Sequence, residues 1–246
     1  MIEIKNLTKS YAGRTVVDDL TLTIPKGTVF GFLGQNGAGK TTTVKIAVGL
    51  SAPDSGTVTI AGVSAENPAS REKIGFAPEA PYFYDRLTGL EFMRFCAELF
   101  PRPDPGVGAA LTPGSLGRME SILRDVGIYE AKDRAIATYS KGMRQRLGFA
   151  QALVNDPECI FLDEPLDGLD PLGRKEIKEI IKKLHAEGKT VFFNSHILYD
   201  TEELCDSIGI IHEGKLLYTG PVKEFCAGSP LETRFVELIE AQKHHI

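Results

Sequence analysis

The stretch that most constrains the chain is Gly34-Gln-Asn-Gly-Ala-Gly-Lys40-Thr41-Thr42. An apolar run, Thr28-Val-Phe-Gly-Phe-Leu33, leads into it, and Val44-Lys-Ile-Ala-Val-Gly-Leu50 follows. This order reads as strand, glycine loop and helix, with the spacing of a phosphate-binding loop: Gly, four residues, then Gly-Lys-Ser/Thr. Gly34, Gly37 and Gly39 let the backbone curl with its N–H groups converging and no Cβ in the way. Gln35, Asn36 and Ala38 complete the loop. The following helix adds free N–H groups and the positive end of its dipole. Lys40 supplies a point charge for outer phosphates. The Thr41 hydroxyl, with Thr42 beside it, suits Mg²⁺.

Composition narrows the class. The 246 residues can bury a large core without staples. A formal net charge of -5 argues against nucleic acid as the main partner, because phosphate backbones favour a basic face. Cys96, Cys159, Cys205 and Cys226 show no C-x-x-C spacing and suit a reduced cytosolic compartment. No apolar run approaches the roughly 20 residues a membrane helix needs. Met1-Ile-Glu-Ile-Lys-Asn6 has no signal-peptide character. A cytosolic protein is expected, with any membrane role exercised through a partner.

The rest of the chain reads as an α/β core interrupted by helices. Ile2–Ile4, Leu20–Ile24 and Val29–Leu33 are expected strands, with Tyr11 in the loop between the first two. There Tyr11 serves either as a surface anchor or as a platform for a stacked base. Thr57–Ile60 and Ile74–Pro78 are further strands, and the second ends at Glu79, a loop carboxylate. Residues 84–155 read as a helical insert. It includes a helix capped by Thr88 and Glu91, a Pro/Gly-rich loop over 101–117, a helix from Leu116 to Val126, and a helix from Arg144 to Val154. Ser140 stands at the N-cap of the last. Lys141, Arg144 and Arg146 crowd the positive end of its dipole, a conflict resolved either by an anion such as phosphate or by solvation.

Cys159–Leu162 is a buried-type strand ending in Asp163-Glu164-Pro165, where α/β sheets bind ligands. Asp163 can hold Mg²⁺, and Glu164 is placed to polarise an attacking water. Asp167-Gly-Leu-Asp170-Pro171 turns into a helix, and Thr190–Phe193 is a strand ending in Asn194-Ser-His196. His196 is a candidate γ-phosphate sensor. A hairpin turning at Glu213-Gly214 follows, then an amphipathic helix over Phe235–Lys243. His185, His212, His244 and His245 lack ligand spacing.

The glycine loop, Tyr139-Ser-Lys-Gly-Met143, Leu162-Asp-Glu-Pro165 and His196 follow one another in an order that resembles the ATP-binding cassette of ABC transporters. The resemblance covers nearly the whole chain. The phosphate loop is shared by many NTPases, and the Tyr139–Met143 segment ahead of Leu162–Pro165 is the more specific mark. The resemblance implies a P-loop, RecA-like α/β core with an N-terminal antiparallel β subdomain and an inserted α-helical subdomain. The cassette then spans 1–225, and 226–246 form a C-terminal amphipathic helix or tail. It implies ATP and Mg²⁺ as ligands, with Asp163 as the Walker B aspartate beside Thr41, Glu164 as catalytic glutamate, Asp170 in the D-loop and His196 as switch histidine. Tyr11 and Val16 resemble the aromatic platform for adenine. Ser140 and Gly142 match the phosphate-facing pair of the signature, offered in trans to a second copy. The signature departs from Leu-Ser-Gly-Gly-Gln at Tyr139, Lys141 and Met143, and Glu79 holds the Q-loop glutamine position.

Similarity to cassettes of ABC-2-type systems implies a hydrophobic transmembrane permease as partner. The chain would then sit in the cytoplasm, attached peripherally to the membrane through that permease, and serve most often in export. The alternative is a soluble ABC-type clamp acting on nucleic acid or ribosomes. The single cassette, the lack of heptads and the acidic charge disfavour it. A metabolic P-loop kinase would need no signature segment.

Overall fold

The computed structural model describes residues 1–99 and 113–243. Its strands are β1 (Ile2–Tyr11), β2 (Arg14–Ile24), β3 (Val29–Leu33), β4 (Ser55–Ile60), β5 (Val63–Ser64), β6 (Ile74–Ala77), β7 (Cys159–Asp163), β8 (Thr190–Ser195), β9 (Ser207–His212) and β10 (Lys215–Pro221). Its helices are α1 (Lys40–Ala47), α2 (Gly89–Glu98), α3 (Pro113–Asp125), α4 (Lys141–Ala152), α5 (Pro171–Ala186), α6 (Leu198–Leu204), α7 (Val222–Cys226) and α8 (Leu231–Lys243).

Two sheets organise the molecule. One has the order β10-β9-β3-β8-β7-β6, parallel except for the β10 edge. The other is antiparallel, β2-β1-β4-β5. Every residue of β3 and β7 is buried, as expected for strands covered on both faces. Side chains on these strands alternate between two cores. Phe30, Phe32, Phe161 and Phe192 face the antiparallel sheet and α1, where they meet Leu20, Leu22, Val44 and Ile46. Val29, Ile160, Leu162, Val191 and Phe193 face α5 and the helical insert. The Phe161 and Phe192 ring centroids are 5.3 Å apart. A third cluster packs α7 and α8 against Leu33, Ile208 and Ile210.

The fold is the expected α/β core with an antiparallel β subdomain and a helical insertion. The two N-terminal strands are much longer than their apolar patches. Register shifts in β1 and positive φ at Asn6 and Asp19 carry the pairing on through polar residues. Tyr11 therefore ends β1 rather than lying in a loop. It pairs with Arg14 across a tight turn at Ala12 and Gly13, with φ of 48° and 80°. Thr88 and Glu91 form the expected capping box of α2. The Pro/Gly-rich 101–117 segment lies outside the described residues up to 112. From Pro113 it is already α3, a position where proline is pre-set for a helix start. His244 and His245 also lie outside the described residues.

Candidate active site

In a parallel sheet the C-terminal strand ends form one edge, and here three neighbouring strands deliver the polar residues to it. The register pairs Leu33 with Ser195 and Asp163 with Asn194. The glycine loop after β3, the Asp163–Glu164 pair after β7 and the Asn194–His196 segment after β8 are thereby side by side. A cleft of about 580 Å³ at this edge is lined by Val16, Asn36, Gly37, Gly39, Lys40, Thr41, Thr42, Glu79, Glu164, Asp167 and His196.

The loop must pass close under β2. A Cβ at Gly39 would run into the Val16 carbonyl oxygen, and φ there is 110°, so only glycine fits. Lys40 is buried, with Nζ donating to the Gly34 carbonyl at 2.7 Å and lying 3.6 Å from Glu164 Oε1. The Thr41 hydroxyl donates to Asp163 Oδ1 at 3.3 Å. This pair of hard oxygen groups fits Mg²⁺. Among the described residues no group of three or more His, Cys, Asp or Glu could hold a metal, so the remaining ligands would come from phosphate and water.

Glu164 is the most constrained residue of the cleft. It is buried, with φ of 48°, a region non-glycine residues enter only when their surroundings hold them there. Its N–H donates to the backbone oxygen and to Oδ1 of Asn194, at 3.2 and 3.1 Å. Its Oε2 lies 2.9 Å from His196 Nδ1 and accepts from the His196 N–H at 3.3 Å. His196 Nε2 stands 3.8 Å from Asp167 Oδ1. The arrangement fixes one carboxylate between an ammonium and an imidazole, facing the phosphate loop.

Asn194 was missed from the sequence. Fully buried, its Nδ2 donates to Asp163 Oδ1 at 2.5 Å while its Oδ1 receives the Glu164 N–H. It thus orients both acidic residues. The only signal was an amide closing an otherwise apolar strand, one residue away from the more conspicuous Ser195-His196.

Four expected site residues stand apart from the cleft. The Tyr11 ring is half exposed on the β1–β2 hairpin, under the Lys9 ammonium and with its hydroxyl 3.4 Å from Ser51 Oγ. Asp170 caps α5, accepting from the Gly173 N–H at 2.7 Å. Ser140 caps α4, accepting from the Met143 N–H at 3.2 Å, and Gly142 follows on the first turn. Two of the three basic residues at this helix start are neutralised within the chain. Arg144 pairs with Asp85 at 2.9 Å and Arg146 pairs with Glu176, so no anion is needed to explain those two arginines. The four cysteines are free, and burial raises every thiol, Cys96 to about 12, which leaves none as a nucleophile. A larger groove of about 630 Å³ lies between α3 and α5. Several of its ions are paired, as in Lys183 with Asp125 and Lys189 with Asp156, and it gathers no comparable chemistry.

Comparison with known proteins agrees with this geometry. The family model described as "ABC transporter" matches residues 17–167. An uncharacterized ABC transporter ATP-binding protein of Synechocystis sp. is 44% identical over 210 residues, covering 83% of this chain and 56% of the relative. The lantibiotic transport ATP-binding protein SrtF of Streptococcus pyogenes is 37% identical over 247 residues, 99% of both chains. A solved ATP-binding subunit of an ABC transporter superposes with a TM-score of 0.85 at 30% identity, covering 97% of this chain and 99% of that one. The chain spans 56% and 59% of the length of the first two curated relatives it matches. With the family model covering more than half the chain, and a full-length relative besides, the protein belongs to the ABC transporter family, among its ATP-binding proteins.

Proposed function

We propose that the chain, as a cassette over 1–225 with a C-terminal tail over 226–246, binds and hydrolyses ATP to power transport by a separate hydrophobic membrane subunit, in the direction of export. The observation that carries this reading is the single cleft joining Lys40, Thr41, Glu164 and His196, with Asp163 bonded to Thr41 at its floor. The loop amides of Gly34–Thr42 and Lys40 bind the phosphates, and Val16 borders the base, with Tyr11, set apart on the β1–β2 hairpin, as its stacking platform. Thr41 and Asp163 would hold Mg²⁺, which when bound neutralises phosphate charge.

Glu164 orients the attacking water and accepts its proton. His196 holds that carboxylate through Nδ1 and reports the γ-phosphate. In a stationary cleft these fixed dipoles and charges stabilise the transferring group without reorganisation. Ser140 and Gly142 do not line their own chain's cleft. This supports a two-fold dimer in which each chain offers its signature turn to the other's nucleotide. ATP closes the dimer and hydrolysis opens it, with Asp170 in the moving loop. Glu79 and the helical insert carry the motion to the membrane subunit. That subunit would hold the chain at the cytoplasmic face, since no described helix is long and apolar enough to cross a membrane itself.

Glu164→Gln tests the reading. It keeps the shape of the side chain and removes the base, so ATP affinity should persist, turnover should fall by at least about a hundredfold, and an ATP-bound dimer should accumulate in light scattering. Parent-level turnover in this variant would refute the assigned role.

A further inference from the structure

Three consecutive side chains at the start of α4 reach three different parts of the molecule. Arg144 goes to Asp85 ahead of α2, Arg146 to Glu176 on α5, and Gln145 to the loop that carries the hydrolytic carboxylate. The arginine pairs are partly exposed, and such pairs contribute little. Gln145 is different. Its Nε2 donates at 2.8 Å to the carbonyl of Pro165, the residue directly after Glu164. One more contact joins the same surfaces. The Lys141 ammonium lies against Gly168, where a Cβ would collide with it, and φ of 64° also favours glycine. Gly142 faces Leu169 without touching it: even a Cβ added there would stand 3.8 Å from Leu169 Cδ2. The loop over 165–170 is therefore anchored at its far end by the Asp170 cap and at its near end by Gln145.

We propose that Gln145 is a positioning residue that transmits displacement of the Ser140–Met143 turn to Glu164 of the same chain. The inference rests on the composite-site reading given above. If Ser140 and Gly142 of one chain contact nucleotide held by its partner, the Gln145 bond makes that contact felt at the first chain's own Glu164. That carboxylate serves the other site. Occupancy of each site then sets the hydrolytic carboxylate of its neighbour, a coupling carried by named contacts. Gly168 lies in the same loop, under the Lys141 ammonium.

Gln145→Glu tests this on the full chain. It preserves size but sets an acceptor against the Pro165 carbonyl. The dependence of ATP hydrolysis on ATP concentration should show kcat lower by about tenfold, the scale of one hydrogen bond, and a Hill coefficient falling toward unity. ATP affinity should stay near that of the parent, with the melting temperature lowered by no more than the loss of one hydrogen bond implies, and a merely structural role would leave the Hill coefficient unmoved. Lys141→Ala, at an exposed side chain, gives a second reading, with a lower Hill coefficient and a smaller effect on kcat. Unchanged cooperativity in both variants, or a parent with none, would overturn the inference while leaving the composite site standing if Glu164→Gln still dimerises with ATP. A Glu164→Gln chain that stays monomeric with ATP would overturn the composite site, and this inference with it.

Discussion

Asp163 and Glu164 owe their placement to a neighbour with no charge. Asn194 is fully buried and spends both ends of its amide on them, one on the Asp163 carboxylate and one on the Glu164 backbone N–H. Asn194→Ala removes the donor and leaves a cavity at the floor of the cleft. The N–H of Glu164 keeps its bond to the Asn194 carbonyl, so the backbone should hold while the carboxylates drift. About 1–3 kcal/mol of stability should be lost, with turnover falling more than ATP affinity. Asn194→Asp should be worse, because it faces Asp163 with a second carboxylate. Melting curves and steady-state hydrolysis check both, and an Asn194→Ala chain with parent turnover would remove Asn194 from the site. Most of the cleft was nonetheless legible in the sequence. Glycines, a lysine, paired acids and a histidine at strand ends have few other uses together. Asn194 was not legible, because an amide acts by geometry, and geometry between two strands thirty residues apart in the chain is invisible in one dimension.

Elements show the same division. Apolar patterning located β3, β7 and β8 as continuous runs, which burial on both faces demands. It underestimated β1 and β2, where polar residues continue the ladder through bulges. It was also silent on α6, which is only seven residues long and keeps Asp200 and Thr201 on its buried side. Gly75 is a third case, a glycine inside a strand that propensity alone would count as a weakness. In the fold it lets α4 lie directly on β6, since a Cβ there would meet the Ala152 carbonyl oxygen and the Pro157 ring. The φ of Gly75 is not in the left-handed region, so the demand is purely steric. Gly75→Ala should therefore lift the C-terminal end of α4 from the sheet, at a cost of about 2 kcal/mol. For a chain of this size that is a melting temperature lower by roughly 4–8 °C. An unchanged melting temperature would mean that α4 can shift without loss.

At the scale of the whole molecule, the chain's own signature turn is not among the groups that line the cleft. Ser140 is exposed and occupied only in capping its helix. A cap bond of this kind contributes about 1 kcal/mol to the helix. It leaves the hydroxyl oxygen's second lone pair and its proton for another partner. Two-fold pairing would bring this turn over a partner's nucleotide, and it makes a prediction that no single-chain site can share. A Lys40→Ala chain lacks the phosphate charge but keeps a sound signature turn. A Ser140→Arg chain has a sound cleft but a blocked turn. Each homodimer should be inactive, since both of its sites carry the defect.

A heterodimer combines the two defects in one site and leaves the other intact. Random pairing makes half the dimers heterodimers with one working site of two, so an equal mixture should recover at most about a quarter of the parent rate. Coupling through Gln145 would lower that figure, because the silent site no longer prompts Glu164 of the working one. The recovered rate on mixing is therefore both the test of shared sites and a measure of how strongly they speak to each other. A mixture as inactive as its components would mean either that Ser140 works within its own chain or that neither site turns over without the other, and ATP-driven dimerisation of the Glu164→Gln chain, which needs a shared site but no turnover, separates the two.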